Sequence, residues 1–310
     1  MTRPTSYLLM AVHVACAAVT YVLGKFAAVG FPNAGSLSLA RSIIAAVVLL
    51  SLTGTAIPRP NFTRGEWTKI AGLGVLLVPL NQYLFLRGLH DTVPGHPALI
   101  YAMTPVGVLI LQSALARRLP STAKTLGVFV AVAGVIVLFR PWAPEDPKFH
   151  EIRNGDLWIA AGLVVWVVYT VAAAPMFRAH DPRAVTTWVL VLGAAALVPF
   201  AAAELVAVDF AAIPTSAWWG LAWLGLVTSA AMMLLWNAML RHLQPVEVSV
   251  CANLQPAATA GLVAALAGAG WIEGTQDLGP LYWIGTALIL GGVAITQRRR
   301  SPPAAATEPA

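Results

Sequence analysis

The sequence predicts an all-α integral membrane protein of ten transmembrane helices, arranged as two inverted five-helix repeats. Three observations predict it: an apolar excess beyond what a soluble core needs, a series of apolar runs each about 20 residues long, and an internal match at one long offset. Hydrophobic residues make up 58% of the 310 positions and charged residues 10%, against roughly 25% charged in soluble domains. Lipid is the natural solvent for such a surplus. The formal charge of +6 is spread as short basic clusters between apolar runs, which is not the footprint of a nucleic-acid-binding domain. Cys16 and Cys251 lie inside apolar runs and read as small packing residues.

Spans are expected near 7–27, 34–53, 67–88, 94–115, 123–140, 155–176, 184–203, 215–240, 246–269 and 280–297. Each is about long enough to cross ~30 Å of hydrocarbon. Breaker residues separate them, as in Phe31-Pro32-Asn33, Pro58-Arg59-Pro60, Asp181-Pro182 and Gly279-Pro280. The expected organisation is a first repeat over 1–140, a central extracytoplasmic loop over 141–154, a second repeat over 155–297 and a disordered cytoplasmic tail over 298–310.

Charge alternation supports ten spans with both termini cytoplasmic in the plasma membrane, the inner membrane of a two-membrane cell. Arg3, Arg59, Arg64, Lys69, Arg117, Arg118, Lys124, Arg178, Arg183, Arg241 and Arg298 to Arg300 then fall on the cytoplasmic side. The outer loops keep only Arg140, Lys148 and Arg153 and collect most of the acids.

Shifted by 151 positions, Trp67 meets Trp218, Leu73-Gly74 meets Leu224-Gly225, Pro94 meets Pro245 and Pro105 meets Pro256. At a shift of 158, Gly127, Gly134 and Val135 meet Gly285, Gly292 and Val293. Five spans per half is an odd number, so the second half crosses in the opposite sense. Inverted repeats are a recurrent transporter architecture, with the substrate site at their interface.

Polar residues inside apolar spans are costly and mark candidate sites. Asn81 and Gln82 in span 3, Asn237 in span 8, and Asn253 and Gln255 in span 9 offer uncharged donors and acceptors for a polar or zwitterionic solute, or hydrogen bonds between helices. Tyr21, Tyr101, Trp166, Tyr169 and Trp236 are aromatic candidates for the same cavity; packing or lipid contact is the other reading. In span 1, His13, Cys16, Thr20 and Gly24 share one helical face. His13 and Glu247 are the candidate proton-coupling groups, although Glu247 also suits the first turn of its helix electrostatically. Pro105 and Pro256 are expected to kink spans 4 and 9. Arg41 lies deeper than Lys25 and Arg87, as a structural cation or one that attracts an anionic group.

The stretch Asn81-Gln82-Tyr83-Leu84-Phe85-Leu86-Arg87-Gly88-Leu89, with Pro97-Ala98-Leu99-Ile100-Tyr101-Ala102-Met103-Thr104-Pro105-Val106, resembles the third and fourth spans of the EamA family of the drug/metabolite transporter superfamily. The second half repeats it from Leu235-Trp236-Asn237-Ala238 through Gln255-Pro256, and Lys25, Arg41 and the Gly285 to Val293 pattern also fit. The resemblance covers about 7–297 and implies ten helices, two repeats and movement of small metabolites, often outward. The chain departs from it at Arg117, where family members carry a glutamate, and at Asp277 with an insertion around 270–276.

The expected function is therefore secondary transport, as an exporter, of a small organic metabolite such as an amino acid or related compound, by alternating access around a central cavity. The expected partners are that solute, the bilayer and a proton as candidate coupling ion, with no nucleic acid, no metal and no cofactor; monomer and homodimer remain open. A lipid or glycolipid flippase is the alternative. Direct ATP hydrolysis is not expected without a GxxxxGK[ST] pattern, and a membrane-embedded enzyme is disfavoured, since the chain has no HExxH or GxSxG pattern and almost no acids within its spans.

Overall fold

The computed structural model describes residues 3–53, 61–92, 95–139, 154–271 and 279–296. The expected central loop up to residue 153, the tail from 298, and Pro58, Arg59, Pro60, Pro94 and Asp277 lie outside them. Among the described residues the chain is helical with no strand. In order the helices are α1 (Arg3–Gly30), α2 (Ala34–Thr53), α3 (Arg64–His90), α4 (Gly95–Tyr101), α5 (Thr104–Ala116), α6 (Thr122–Phe139), α7 (Asn154–Ala179), α8 (Pro182–Val206), α9 (Thr215–His242), α10 (Pro245–Gly268) and α11 (Pro280–Thr296). Seven of these, α1 to α3 and α7 to α10, contain stretches long and apolar enough to cross a membrane; α5, α6 and α11 contribute shorter apolar helices.

The bundle is apolar outside and locally polar inside. Val47, Ile110, Phe129, Val164 and Phe200 are each more than half exposed, while Ser38, Ser42, Thr104, Asn237 and Asn253 are fully enclosed. That inversion suits a lipid surround, where polar groups are satisfied only within the protein.

Sequence chemistry marks the helix ends. Thr63 and Glu66 form a capping box at the start of α3, and Asp181 caps α8 by accepting from the Arg183 backbone. Pro182, Pro245 and Pro280 stand first in α8, α10 and α11, where proline's missing N–H costs nothing. The C-cap of α5 is Arg117, at φ 48°, in the left-handed region usually left to glycine.

Four irregularities interrupt the α-helical ladders. α3 is π-helical over Leu76–Gln82, and α9 over Trp223–Met232. The expected fourth span is broken into α4 and α5 at Ala102 and Met103, just ahead of Pro105. α10 tightens to a 3-10 turn over Val250–Leu254, just ahead of Pro256. Proline removes a backbone donor and crowds the preceding turn, which accounts for the last two breaks. Pro79 lies within the first π segment, but the second forms without a proline, so proline is not required for it.

Small residues let the helices approach closely. α6 and α11 meet along Gly127, Ala131 and Gly134 on one side and Gly285, Ile289 and Gly292 on the other. A Cβ on Gly134 would stand 2.6 Å from the Gly285 carbonyl oxygen, and one on Gly292 2.5 Å from the Ala131 nitrogen. Elsewhere Gly74 of α3 faces Gly193 of α8, and Gly88 faces Gly155. Close backbone approach at small residues is how apolar helices associate in lipid.

Gly134→Ala and Gly292→Ala are each expected to cost about 1–3 kcal/mol by overpacking, read as a lowered Tm in detergent; Gly291→Ala, whose Cβ meets nothing within 4 Å, is expected to leave Tm unchanged or raised. Arg117→Gly is expected to relieve about 1 kcal/mol of left-handed backbone strain and to raise Tm.

Candidate functional site

One cavity gathers residues from seven helices. α1 supplies His13, Ala17, Thr20 and Tyr21, a single face at helical spacing. α2 supplies Arg41; α3 supplies Leu77, Asn81, Gln82 and Phe85; α4 supplies Tyr101. From the other half of the chain come Trp166 of α7, Thr228, Met232, Met233 and Trp236 of α9, and Ala252 and Gln255 of α10. The free volume is about 110 Å³, small beside the roughly 300–1,000 Å³ of drug-sized pockets.

The amide side chains are held rather than loose. Asn81 Nδ2 donates to the Tyr101 hydroxyl and to the Gly162 carbonyl, both at 2.9 Å, joining α3, α4 and α7. Gln82 Oε1 accepts from Ser42 at 3.0 Å, and Gln255 Oε1 accepts from the Tyr21 hydroxyl at 2.8 Å. Thr20 and Thr228 share a 2.8 Å hydrogen bond across α1 and α9, and Trp223 Nε1 donates to Thr20 Oγ1 at 3.0 Å. Hydrogen bonds of this kind, removed from water, fix side-chain positions more firmly than they would on a surface.

The aromatic wall is continuous. The Trp236 ring lies 5.2 Å from the His13 ring and 5.1 Å from Trp166, and Trp166 stacks on Tyr169 at 5.5 Å. Two buried nitrogens on this wall, His13 Nδ1 and Trp236 Nε1, have no hydrogen-bond partner among the described residues.

Arg41 is 4% exposed and borders the cavity. Its Nε donates to Ser229 Oγ at 2.9 Å, and Tyr101 lines the same cavity. No carboxylate lines this cavity among the described residues. A cation inside a membrane costs about 2.5–3.5 kcal/mol even on insertion scales, and such groups ordinarily pair.

Of the residues singled out from sequence, His13, Asn81, Gln82, Tyr101, Trp166, Trp236 and Gln255 come together here. Tyr169, Asn237 and Asn253 do not line the cavity. Asn237 lies one residue, and so about 100° of helix rotation, from Trp236. It points into the packed core, accepting from the Tyr169 hydroxyl at 3.3 Å and donating to Thr186 at 2.9 Å. Tyr169 stacks on Trp166, and Asn253 is fully enclosed, with no partner for its amide among the described residues. Glu247 is also elsewhere, at the start of α10. It accepts from the Gln244 backbone at 2.9 Å and pairs with Lys124 at 3.7 Å. Pro105 and Pro256 stand beside the helix breaks rather than on the cavity lining. In α1 the lining face keeps His13 and Thr20 but turns toward Ala17 and Tyr21, while Gly24 packs against Leu89 and Leu224. Thr228, Met232 and Met233 also line the cavity, and a threonine and methionines in an apolar run carry no distinctive signal in sequence; the π-helical segment ends on Met232.

Polar clusters lie at both ends of the bundle. At one end Lys25 Nζ donates to the carbonyls of Leu89, His90 and Thr92, and Asp156 accepts from Thr92 at 2.5 Å and contacts His96 at 2.9 Å. Hydrogen bonds from His90 and Arg87 hold the Asp91 carboxyl below the usual carboxylate range. At the other end His180 meets Glu66 at 2.7 Å, alongside the Lys124–Glu247 pair.

Asn237→Ala would strand the Tyr169 and Thr186 hydroxyls in the core. A loss of about 1–3 kcal/mol is expected, measured as a fall in Tm.

The EamA-like transporter family model matches the chain over residues 4–140 and again over 153–298. An uncharacterized transporter of Bacillus subtilis, YyaM, is 28% identical over 240 residues, covering 77% of this chain and 79% of the relative. A protein of Streptantibioticus cattleyicolor named a probable terminal-alkyne amino-acid exporter is 26% identical over 272 residues, 87% of this chain and 86% of the relative. A crystal structure with 19% sequence identity superposes with a TM-score of 0.68 over 96% of this chain and 98% of its own, a likeness of fold. With a match spanning nearly its whole length, the chain is a multi-pass membrane protein and belongs to the EamA-like transporter family.

Proposed function

We propose that this protein is a secondary transporter, working outward, of a small organic metabolite such as an amino acid or related compound, by alternating access around the cavity between α1, α2, α3, α4, α7, α9 and α10. The observation that carries this reading is that one cavity draws its lining from both halves of the chain, with Asn81, Gln82 and Tyr101 from the first and Trp166, Trp236 and Gln255 from the second. A site shared between two halves opens to either side when they rock against each other. The small free volume favours a metabolite over a drug-sized solute. The name of the Streptantibioticus relative points to amino acids as the solutes to try first.

We further propose ten spans as two inverted repeats, 1–140 and 155–297, with both termini cytoplasmic in the plasma membrane. The two separate matches to one family model support this reading. So do the π segments of α3 and α9, which overlap at the 151-residue shift, and the helix breaks just ahead of both Pro105 and Pro256. Of the two proton-coupling candidates, His13 is the one on the cavity, and it is the group we assign that role; Glu247 is engaged in helix capping.

In proteoliposomes, counterflow is expected for at least one amino acid or close relative, and single alanine changes at Asn81, Tyr101, Trp166 or Gln255 are expected to lower it about tenfold or more in normally inserted protein. Unaltered flux in every variant would remove the cavity assignment. A C-terminal reporter active only outside the cytoplasm would overturn the orientation.

A further inference from the structure

We infer that Arg41 is the recognition point for the substrate's carboxylate, so that the solutes of this cavity are small monocarboxylates, amino acids included. The inference rests on the reading of the cavity as the transport site and names the chemical class that it accepts.

Arg41 is enclosed, borders the cavity, and has one side-chain hydrogen bond among the described residues, from Nε to Ser229. A guanidinium has five N–H donors and keeps its charge at physiological pH. Ser229 takes the Nε donor and so orients the plane of the fork. Among the described residues no acceptor is seen for the Nη donors and no carboxylate for the group, in a cavity whose lining has no acid. An enclosed cation with its remaining donors free is matched in charge and geometry by a two-oxygen monoanion, which a guanidinium grips in a bidentate manner.

The rest of the lining narrows the class. A phosphate monoester would set nearly two negative charges against one arginine, whereas a carboxylate brings one. Asn81 and Gln82 are committed to Tyr101, Gly162 and Ser42, so they shape the cavity and leave the charge to Arg41. Phe85, Trp166 and Trp236 offer an apolar, aromatic surface to the remainder of the solute. An ammonium there would meet aromatic faces, which attract cations. A solute that is cationic overall would find Arg41 and no counter-ion.

The test reads binding separately from transport, through the intrinsic tryptophan fluorescence of the purified full-length protein, in which Trp166 and Trp236 line the cavity. The probes are the common neutral amino acids and their 2-oxo acids, the corresponding amino-acid amides, and inorganic phosphate. Saturable quenching is expected from members of the acid series, with the matching amide weaker by about tenfold or more, the factor that a charge-assisted hydrogen-bonded pair contributes. Arg41→Gln is expected to abolish the preference of acid over amide, and Arg41→Lys to restore part of it. Should Arg41→Gln fail to fold, the comparison of acid with amide on the wild-type protein still decides. Equal binding of acid and amide, stronger binding of phosphate, or no saturable binding by any acid overturns the inference. Carboxylate-selective binding without flux of any bound solute would instead remove the transport reading and leave the inference standing. Flux of neutral or cationic solutes, unchanged in Arg41→Gln, would do the reverse.

Discussion

In a hydrocarbon surround, every backbone N–H and C=O must find its partner inside the protein. That constraint explains where this fold departs from regular helix. The π segments of α3 and α9, the break between α4 and α5 and the 3-10 turn of α10 are places where the ladder changes register, and irregular backbone at such depth is tolerated only against protein or a cavity. Each lies in or beside a segment that lines the central cavity: Asn81 and Gln82 end the first π segment, Met232 ends the second, Tyr101 ends α4, and Gln255 follows the 3-10 turn. π-helical turns are rare and concentrate at functional sites. Two of them on one cavity make helical irregularity the feature that organises it.

The same solvent decides how the helices meet. Lipid removes the hydrophobic drive for apolar helices to associate, so close packing and hydrogen bonds between helices do that work. Gly127 and Gly134 of α6 fit against Gly285 and Gly292 of α11, and Gly74 fits against Gly193. Nearer the cavity, the side-chain pairs Asn81–Tyr101, Tyr21–Gln255, Thr20–Thr228 and Ser42–Gln82 tie helix to helix. The polar residues that border the cavity are thus largely occupied in holding its walls. Arg41 differs, anchored at one nitrogen with no acid paired to its charge among the described residues. Under the proposed transport reading, a firm frame with one open charge gives selectivity at little ordering cost on binding.

The helical, apolar character of the chain and the bounds of several long helices were legible in composition and breaker residues, because a bilayer demands about 20 apolar residues per crossing. The expected span over 155–176 became Asn154–Ala179, and that over 34–53 became Ala34–Thr53. Hydropathy also exposed His13, Asn81, Gln82 and Gln255 of the cavity lining, since an amide or histidine within an apolar run stands out against its neighbours. What it could not supply was the angle around each helix. Trp236 and Asn237 are adjacent in sequence, yet one lines the cavity and the other braces Tyr169 and Thr186 in the core. Trp166 and Tyr169 share a face, yet Trp166 fronts the cavity and Tyr169 stacks on it.

By itself, then, the sequence determined the apolar helical character of the protein, its family and the polar residues buried within its spans. Only the tertiary structure decided which of those polar residues converge. Inward direction depends on helix rotation, and rotation is set by contacts between helices far apart in the chain, compounded here by π turns that shift the phase of every side chain beyond them. Arg41 is the clearest case: its sequence position marks a cation below the surface, and only the placement of α2 against α9 shows that Ser229 holds one edge of the guanidinium while no acid meets it in the cavity.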